Sequence, residues 1–123
     1  MALQHSPSIV TSGLVLCYDA ANPRSYPGTG TSCFDVSGTG YTGTLTNGPT
    51  YTAGINGYFN FDGIDDYIAC GNLGSFYSVG TILFWLNSSA VENYRNPFTT
   101  HYNSGNIGIR FEQNSSEIGR AHV

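Results

Sequence analysis

The stretch that decides the fold is residues 58–70, YFNFDGIDDYIAC. Phe59 and Phe61 alternate with polar residues, which is the period of a half-buried strand, and Ile68 and Cys70 resume that alternation further on. Between them lies a short acidic turn with a glycine, the residue type that gives a tight turn its backbone freedom. The stretch therefore predicts two strands joined as a hairpin by an acidic corner.

Two other stretches predict strands that are apolar on both faces. Residues 14–19, LVLCYD, form the first, and residues 81–86, TILFWL, form the most apolar segment of the chain. A strand that is apolar on both faces lies inside a sheet with material on each side. Trp85 lies between Phe84 and Leu86, which favours core packing over its alternative role as a platform for a sugar.

Short strand signals, each bounded by turn residues, recur along the chain. The remaining predicted strands are 42–45, 51–54, 98–102 and 107–111, with a short strand or helical turn at 33–36. The residues 47–49, NGP, turn the chain, and residues 103–106 join the last two strands as a hairpin. About eight short strands without an amphipathic helix predict an all-β fold, a sandwich or a barrel.

Composition excludes several function classes. The chain has 123 residues, which fits one domain, and only 10% of them are charged. With four arginines, no lysine and a net charge of −4, it lacks the basic cluster that nucleic-acid binding requires, and the same shortage argues against binding to a membrane surface. No apolar run approaches the roughly 20 residues of a membrane-spanning helix, and the first residues do not resemble a secretory signal.

The cysteines predict free thiols. There are three, Cys17, Cys33 and Cys70, and an odd number cannot be fully paired within one chain. Their spacing matches no zinc ribbon or finger. Buried free thiols are the favoured interpretation, and a disulfide between Cys17 and Cys70 is the alternative.

Residues 117–123, EIGRAHV, are set aside as a tail that is not biological. They resemble the translation of a common short-read sequencing adapter, with Glu117 at the junction, and an ordinary polar C-terminus with a chance match is the alternative. Segments of this kind are excluded from reasoning about the fold. We therefore expect no functional role for Arg120 or His122, and we expect the natural reading frame to continue beyond Ser116.

Several motifs follow one another in an order that resembles a known family. They are residues 13–22, GLVLCYDAAN, residues 25–28, SYPG, residues 35–38, DVSG, residues 43–49, GTLTNGP, and residues 61–67, FDGIDDY. Together with the ILFW at 82–85, they resemble the N-terminal half of concanavalin A-like lectin/glucanase domains of the laminin G-like group. The likeness covers residues 9–113 and is greatest to the versions in tailed-phage structural proteins and related metagenomic sequences.

The resemblance implies an antiparallel β-sandwich of the jelly-roll type. Sandwiches of this kind commonly need roughly 200 residues, so the resemblance implies a domain truncated at its C-terminus. The expected organisation is a lead-in at 1–12, a partial sandwich at 13–116 and the tail at 117–123. Because such a fragment leaves sheet edges and core side chains without partners, we expect it to aggregate when expressed alone.

The acidic corner has two interpretations. Asp62, Asp65 and Asp66 form the densest carboxylate cluster in the chain. Calcium takes six to eight oxygen ligands, and some members of the resembled family bind it at a rim of the sandwich. A plain turn, in which the carboxylates accept hydrogen bonds from backbone amides, explains the same residues and is the favoured interpretation.

The candidate ligand-binding residues lie after Trp85. Tyr94, Arg95 and Asn96 are on a polar loop, and Tyr102 is expected near them. Exposed rings, amides and charged groups of this kind bind sugars. An ordinary solvated loop is the alternative interpretation.

The sequence predicts no catalysis. Glycoside hydrolysis needs two carboxyl groups that flank the scissile bond, and the Glu-x-Asp-x-x-Glu pattern of the resembled glucanases is absent. The natural glutamates Glu92 and Glu112 have no acidic neighbour at the spacing of a pair.

The sequence therefore favours a non-catalytic binding or structural module of a phage particle. Its expected partner is a glycan or another virion protein, and its expected location is the virion, after synthesis in the host cytoplasm. The alternative is a fragment of a secreted, extracellular carbohydrate-active enzyme or of its accessory domain.

Overall fold

The computed structural model describes residues 12–73, 80–88, 95–99, 110–113 and 118–122. The chain divides into two units, Met1–Phe76 and Tyr77–Val123. The described residues contain strands and no helix, and every strand pairing is antiparallel. The predicted all-β, antiparallel class is therefore confirmed at this level.

The first unit holds two small sheets. The strands are β1 (Ser32–Cys33), β2 (Gly43–Thr46), β3 (Thr50–Thr52), β4 (Tyr58–Asn60) and β5 (Tyr67–Ala69). One sheet has the order β1-β2-β5 and the other pairs β3 with β4. The strands predicted at 42–45 and 51–54 are thus confirmed as β2 and β3.

The prediction that residues 58–70 form a hairpin is wrong, because the two strands do not pair with each other. Both of its strands exist, but β4 pairs with β3, whereas β5 pairs with β2. The acidic corner therefore carries the chain from one sheet to the other. Strand alternation predicts which residues face inward but does not identify the neighbouring strand, so the error could not be detected from the stretch itself.

One core receives side chains from both sheets. Tyr26, Cys33 and Leu45 are buried, and four half-buried side chains pack against them: Tyr18, Tyr51, Phe59 and Ile68. The rings of Tyr26 and Phe59 meet edge to face with their centroids 4.9 Å apart, a favoured aromatic geometry. Cys33 and Leu45 come from the first sheet and Phe59 comes from the second, so the two sheets share this core.

The turn at residues 47–49 is confirmed as the other connection between the sheets. Asn47 has φ 67° and Gly48 has φ 105°. Glycine and asparagine are the residues that adopt this left-handed conformation most readily. Strand β2 therefore ends before the NGP turn, and β3 begins directly after it.

Residues 14–19 do not form the predicted strand. Their backbone groups bond to side chains instead: Cys17 N–H donates to Asp35 Oδ1 over 2.8 Å, and Val15 C=O accepts from the hydroxyl of Thr39 over 2.6 Å. Asp19 N–H donates to Ser25 Oγ over 3.0 Å. These side-chain partners occupy backbone groups that a strand ladder would use.

The second unit contains a three-stranded sheet. Its strands are β6 (Arg95–Thr99), β7 (Arg110–Gln113) and β8 (Ile118–His122), in that order. The antiparallel pairing of β6 with β7 confirms the predicted hairpin where its residues are described. Strand β8 lies in the segment that the sequence sets aside as a tail.

Residues 81–86 are not a strand, and the expected core position of Trp85 is wrong. Trp85 is 96% exposed and Leu83 is 83% exposed. Apolar character alone therefore does not bury this segment.

Candidate functional site

The acidic corner between β4 and β5 is stabilised by its own carboxylates. Asp62 Oδ1 accepts hydrogen bonds from the N–H groups of Ile64 and Asp65, over 2.7 and 3.4 Å. Asp66 Oδ2 accepts from the N–H of Asp62 over 3.0 Å, and Gly63 has φ 73°. The capping role expected of a plain acidic turn is therefore present.

The corner is also tied to the other connection between the sheets. Asn47 Nδ2 donates to the carbonyl oxygen of Asp65 over 2.8 Å. Because Asn47 begins the turn after β2 and Asp65 precedes β5, this bond links the two crossings of the chain.

The same three acids fit calcium in ligand type. One ligand oxygen from each of Asp62, Asp65 and Asp66 can be chosen so that all lie within 4.8 Å of one another. Asp66 Oδ1 is buried and has no hydrogen-bond partner in the part of the chain that the structure describes, and a buried polar atom without a partner is costly. A cation held by these carboxylates would cross-link the corner.

A second carboxylate, that of Asp35, is fully engaged. Its Oδ2 accepts from the hydroxyl of Ser37 over 2.6 Å and from Gly40 N–H over 3.0 Å, and it lies 2.8 Å from the hydroxyl of Thr39, whose single proton is shared with the carbonyl of Val15. Its Oδ1 accepts from Cys17 N–H and Ser37 N–H. Burial opposes ionisation of this carboxyl, but the hydrogen bonds led by those of Ser37 outweigh it and hold its pKa below the ordinary range. These partners make Asp35 a structural anchor.

The three cysteines are free thiols, and their surroundings disfavour the thiolate form. Cys17, Cys33 and Cys70 form no disulfide, and burial raises the pKa of each thiol. A raised pKa leaves less thiolate, the reactive form, at neutral pH. The expectation of free thiols agrees with this arrangement, which does not contain the alternative Cys17–Cys70 bond.

Tyr18 covers the glycine of β2. Its hydroxyl donates to the carbonyl of Tyr41 over 2.9 Å. A Cβ at position 43 would lie 2.9 Å from that hydroxyl and 2.8 Å from Ile68 Cγ2. Gly43 therefore leaves the space that Tyr18 fills. Burial, followed by the nearby thiol of Cys70, raises the pKa of Tyr18.

The candidate ligand-binding residues are only partly described. Tyr94 and Tyr102 lie outside the described residues. Arg95 and Asn96 begin β6, so their predicted position on a loop is wrong.

Sequence reasoning missed two exposed tyrosines. Tyr58 is 52% exposed on β4, and Tyr67 is 50% exposed on β5. The signal was present, because Tyr58 shares its strand face with polar Asn60 while Phe59 takes the inward face.

No protein-family model, curated protein or solved structure matches this chain. Among the described residues, no helix has the length and apolar character to cross a bilayer.

Proposed function

We propose that this chain is a non-catalytic binding or structural module that recognises glycan or decorates a particle as part of a phage structural protein. The proposed architecture is the concanavalin A-like, laminin G-like jelly-roll sandwich. The proposed location is the virion, with an extracellular location as the alternative, and the proposal involves neither nucleic acid nor a membrane.

The observation that carries this proposal is the shared core of the two antiparallel sheets. The chain crosses between the sheets after β2 and again after β4, and each crossing is a tight turn stabilised by Asn47 or by the acidic corner. Two antiparallel sheets that contribute inward residues to one core are the basic unit of a sandwich. Leu83 and Trp85 are also exposed, and large apolar groups in an exposed segment are typical of a surface that contacts another element or a partner.

The surface chemistry supports recognition of a neutral ligand. Tyr58 presents an exposed ring, and its cross-strand partner Thr52 adds a hydroxyl group. Aromatic faces beside a few polar groups are typical of small-ligand sites.

Glycan-array binding by the protein, in calcium and in chelator, tests the proposal. Saturable binding to a defined set of glycans is the expected result. Binding to no glycan and to no virion protein would contradict it. Release of reducing ends from any polysaccharide would instead favour the alternative, a fragment of a carbohydrate-active enzyme.

A further inference from the structure

The outer face of the β3–β4 sheet groups four neutral polar and aromatic side chains. Thr50 and Thr52 on β3 are exposed and lie opposite Asn60 and Tyr58 on β4. Side chains of directly paired residues share a face, and residues two apart on one strand lie about 7 Å from each other. The four residues therefore form one patch, which we call the Tyr58 face.

The amide on this face is held in place. Asn60 Nδ2 donates to Thr52 Oγ1 over 3.0 Å. This bond leaves Asn60 Oδ1 as an acceptor, while the Thr52 hydroxyl keeps its proton for donation. A polar group that is ordered before the ligand arrives loses less conformational freedom on binding.

We propose that the Tyr58 face binds one pyranose ring of a neutral glycan. This inference rests on the proposed recognition function and assigns it to a defined surface. A pyranose has an apolar face of C–H groups and a rim of hydroxyls that donate and accept. The exposed ring of Tyr58 matches the apolar face, and the fixed Asn60 amide, about one sugar ring away, matches the rim.

Charge supports a neutral occupant. Thr50, Thr52, Tyr58 and Asn60 carry no formal charge at neutral pH, and the whole chain has a net charge of −4. An acidic sugar or a nucleotide would meet repulsion from this net charge and would find no cation on the face.

The other sheet supplies a matched control. Tyr67 is exposed to almost the same extent, 50% against 52% for Tyr58, and it also lies opposite a threonine. However, the hydroxyl of Thr46 donates to the carbonyl of Thr44 over 3.3 Å, and the residue beside Tyr67 on the same face is Ala69. Tyr67 therefore has an exposed ring without a fixed amide.

The test is an NMR titration of the isotope-labelled chain, kept below the concentration at which it aggregates. The ligands are methyl β-glucopyranoside, methyl β-galactopyranoside and methyl α-mannopyranoside, with adenosine monophosphate as a charged aromatic probe. At least one sugar should shift the amide signals of Thr52 and of β4 in a saturable way, with a dissociation constant on the order of 1 mM, as expected for a small ligand. Tyr58→Ala and Asn60→Ala should each weaken that binding about tenfold or more, a loss typical of removing one good contact. Tyr67→Ala should change it less than about twofold.

The outcomes separate this inference from the proposed function. If the array shows glycan binding but the shifts map elsewhere, or Tyr67→Ala weakens binding as much as Tyr58→Ala, the Tyr58 face is wrong and glycan recognition stands. Tighter binding of adenosine monophosphate than of every sugar would also overturn the inference. Absence of binding on both the array and the titration would overturn the inference and glycan recognition together. The map uses the unsubstituted chain, so the result does not depend on the folding of a variant.

Discussion

Residues 14–19 and residues 81–86 make an instructive pair, because neither segment belongs to a strand and yet their environments differ. In the first, Leu16, Cys17 and Tyr18 are half-buried. In the second, Leu83 and Trp85 are exposed, although the second segment is the more apolar of the two.

In the first segment, partial burial goes with backbone hydrogen bonds to groups distant in sequence. The backbone groups of residues 14–19 form hydrogen bonds with the side chains of Asp35, Thr39 and Ser25. In addition, Val36 N–H donates to the carbonyl of Cys17 over 3.0 Å. Once these groups are satisfied, apolar side chains such as that of Tyr18 can leave water without leaving a buried polar group unpaired. The comparison teaches that polar anchoring permits burial in this protein, and that apolar content alone does not produce it.

The largest expected effect on stability comes from replacing one aromatic residue in each segment, Tyr18 and Trp85. Tyr18→Ala should lower the free energy of unfolding by about 2–4 kcal/mol, because it removes a ring that packs on the core and leaves a cavity. Trp85→Ala, the matched change in the other segment, should alter it by less than about 0.5 kcal/mol. Urea unfolding measures both, and equal losses from the two substitutions would show that the segments do not differ as described.

The second effect concerns Asp35, whose carboxylate bonds to the backbone of residues 14–19. Asp35→Asn should destabilise the protein by about 1–3 kcal/mol, because one of its two oxygens becomes an NH₂ donor among the donors of Ser37, Thr39 and Gly40. The backbone amide of Cys17 should then exchange its hydrogen faster. Asp65→Asn in calcium-free buffer is the control, since the Asp65 carboxylate is exposed; if it destabilises as much as Asp35→Asn, the loss reflects charge and not the anchor.

The third effect is a pH dependence with a defined sign. Because the folded-state pKa of Asp35 lies below its ordinary value of about 3.9, its contribution to stability is complete above that pH. The contribution is lost as pH falls below about 4 through the folded-state pKa. Unfolding free energies measured from pH 6 downwards should fall less steeply below pH 4 in Asp35→Asn than in the unsubstituted protein. Parallel pH profiles would contradict the assignment.

Much of the fold could be predicted because it depends on local signals. The alternation around Phe59 located β4, the short strand signal at 42–45 located β2, and the NGP and acidic turns were recognisable from residue type. The pairing of β4 and β5 with different sheets was not predictable, since it depends on contacts between residues distant in sequence.

The hydrogen bond between Asp35 and the backbone of residues 14–19 could not be predicted for the same reason. Cys17 and Asp35 are 18 residues apart, and no strand period connects them. The candidate site divides likewise. The acidic corner could be found from its composition, whereas the Tyr58 face requires knowledge that β3 and β4 pair with Thr52 opposite Tyr58.

The smallest expected effect comes from comparing two carboxylates, that of Asp35 and that of Asp66, by the hydrogen bonds that their oxygens accept. Both oxygens of Asp35 accept hydrogen bonds, whereas Asp66 Oδ1 is buried and accepts none from the described residues. If calcium binds at the acidic corner, calcium at about five times its dissociation constant should stabilise the protein by about 1 kcal/mol. Thermal unfolding in calcium and in chelator measures this shift.

Two substitutions at the corner distinguish binding from capping. Asp65→Asn removes an exposed carboxylate and should abolish the calcium shift with little change in the stability measured in chelator. Asp62→Ala also removes the acceptor for Ile64 N–H and should therefore lower the stability in chelator as well. If calcium has no effect on the unsubstituted protein while Asp62→Ala still destabilises it, the corner is a structural turn, and the buried oxygen of Asp66 is a cost that the fold carries without a cation.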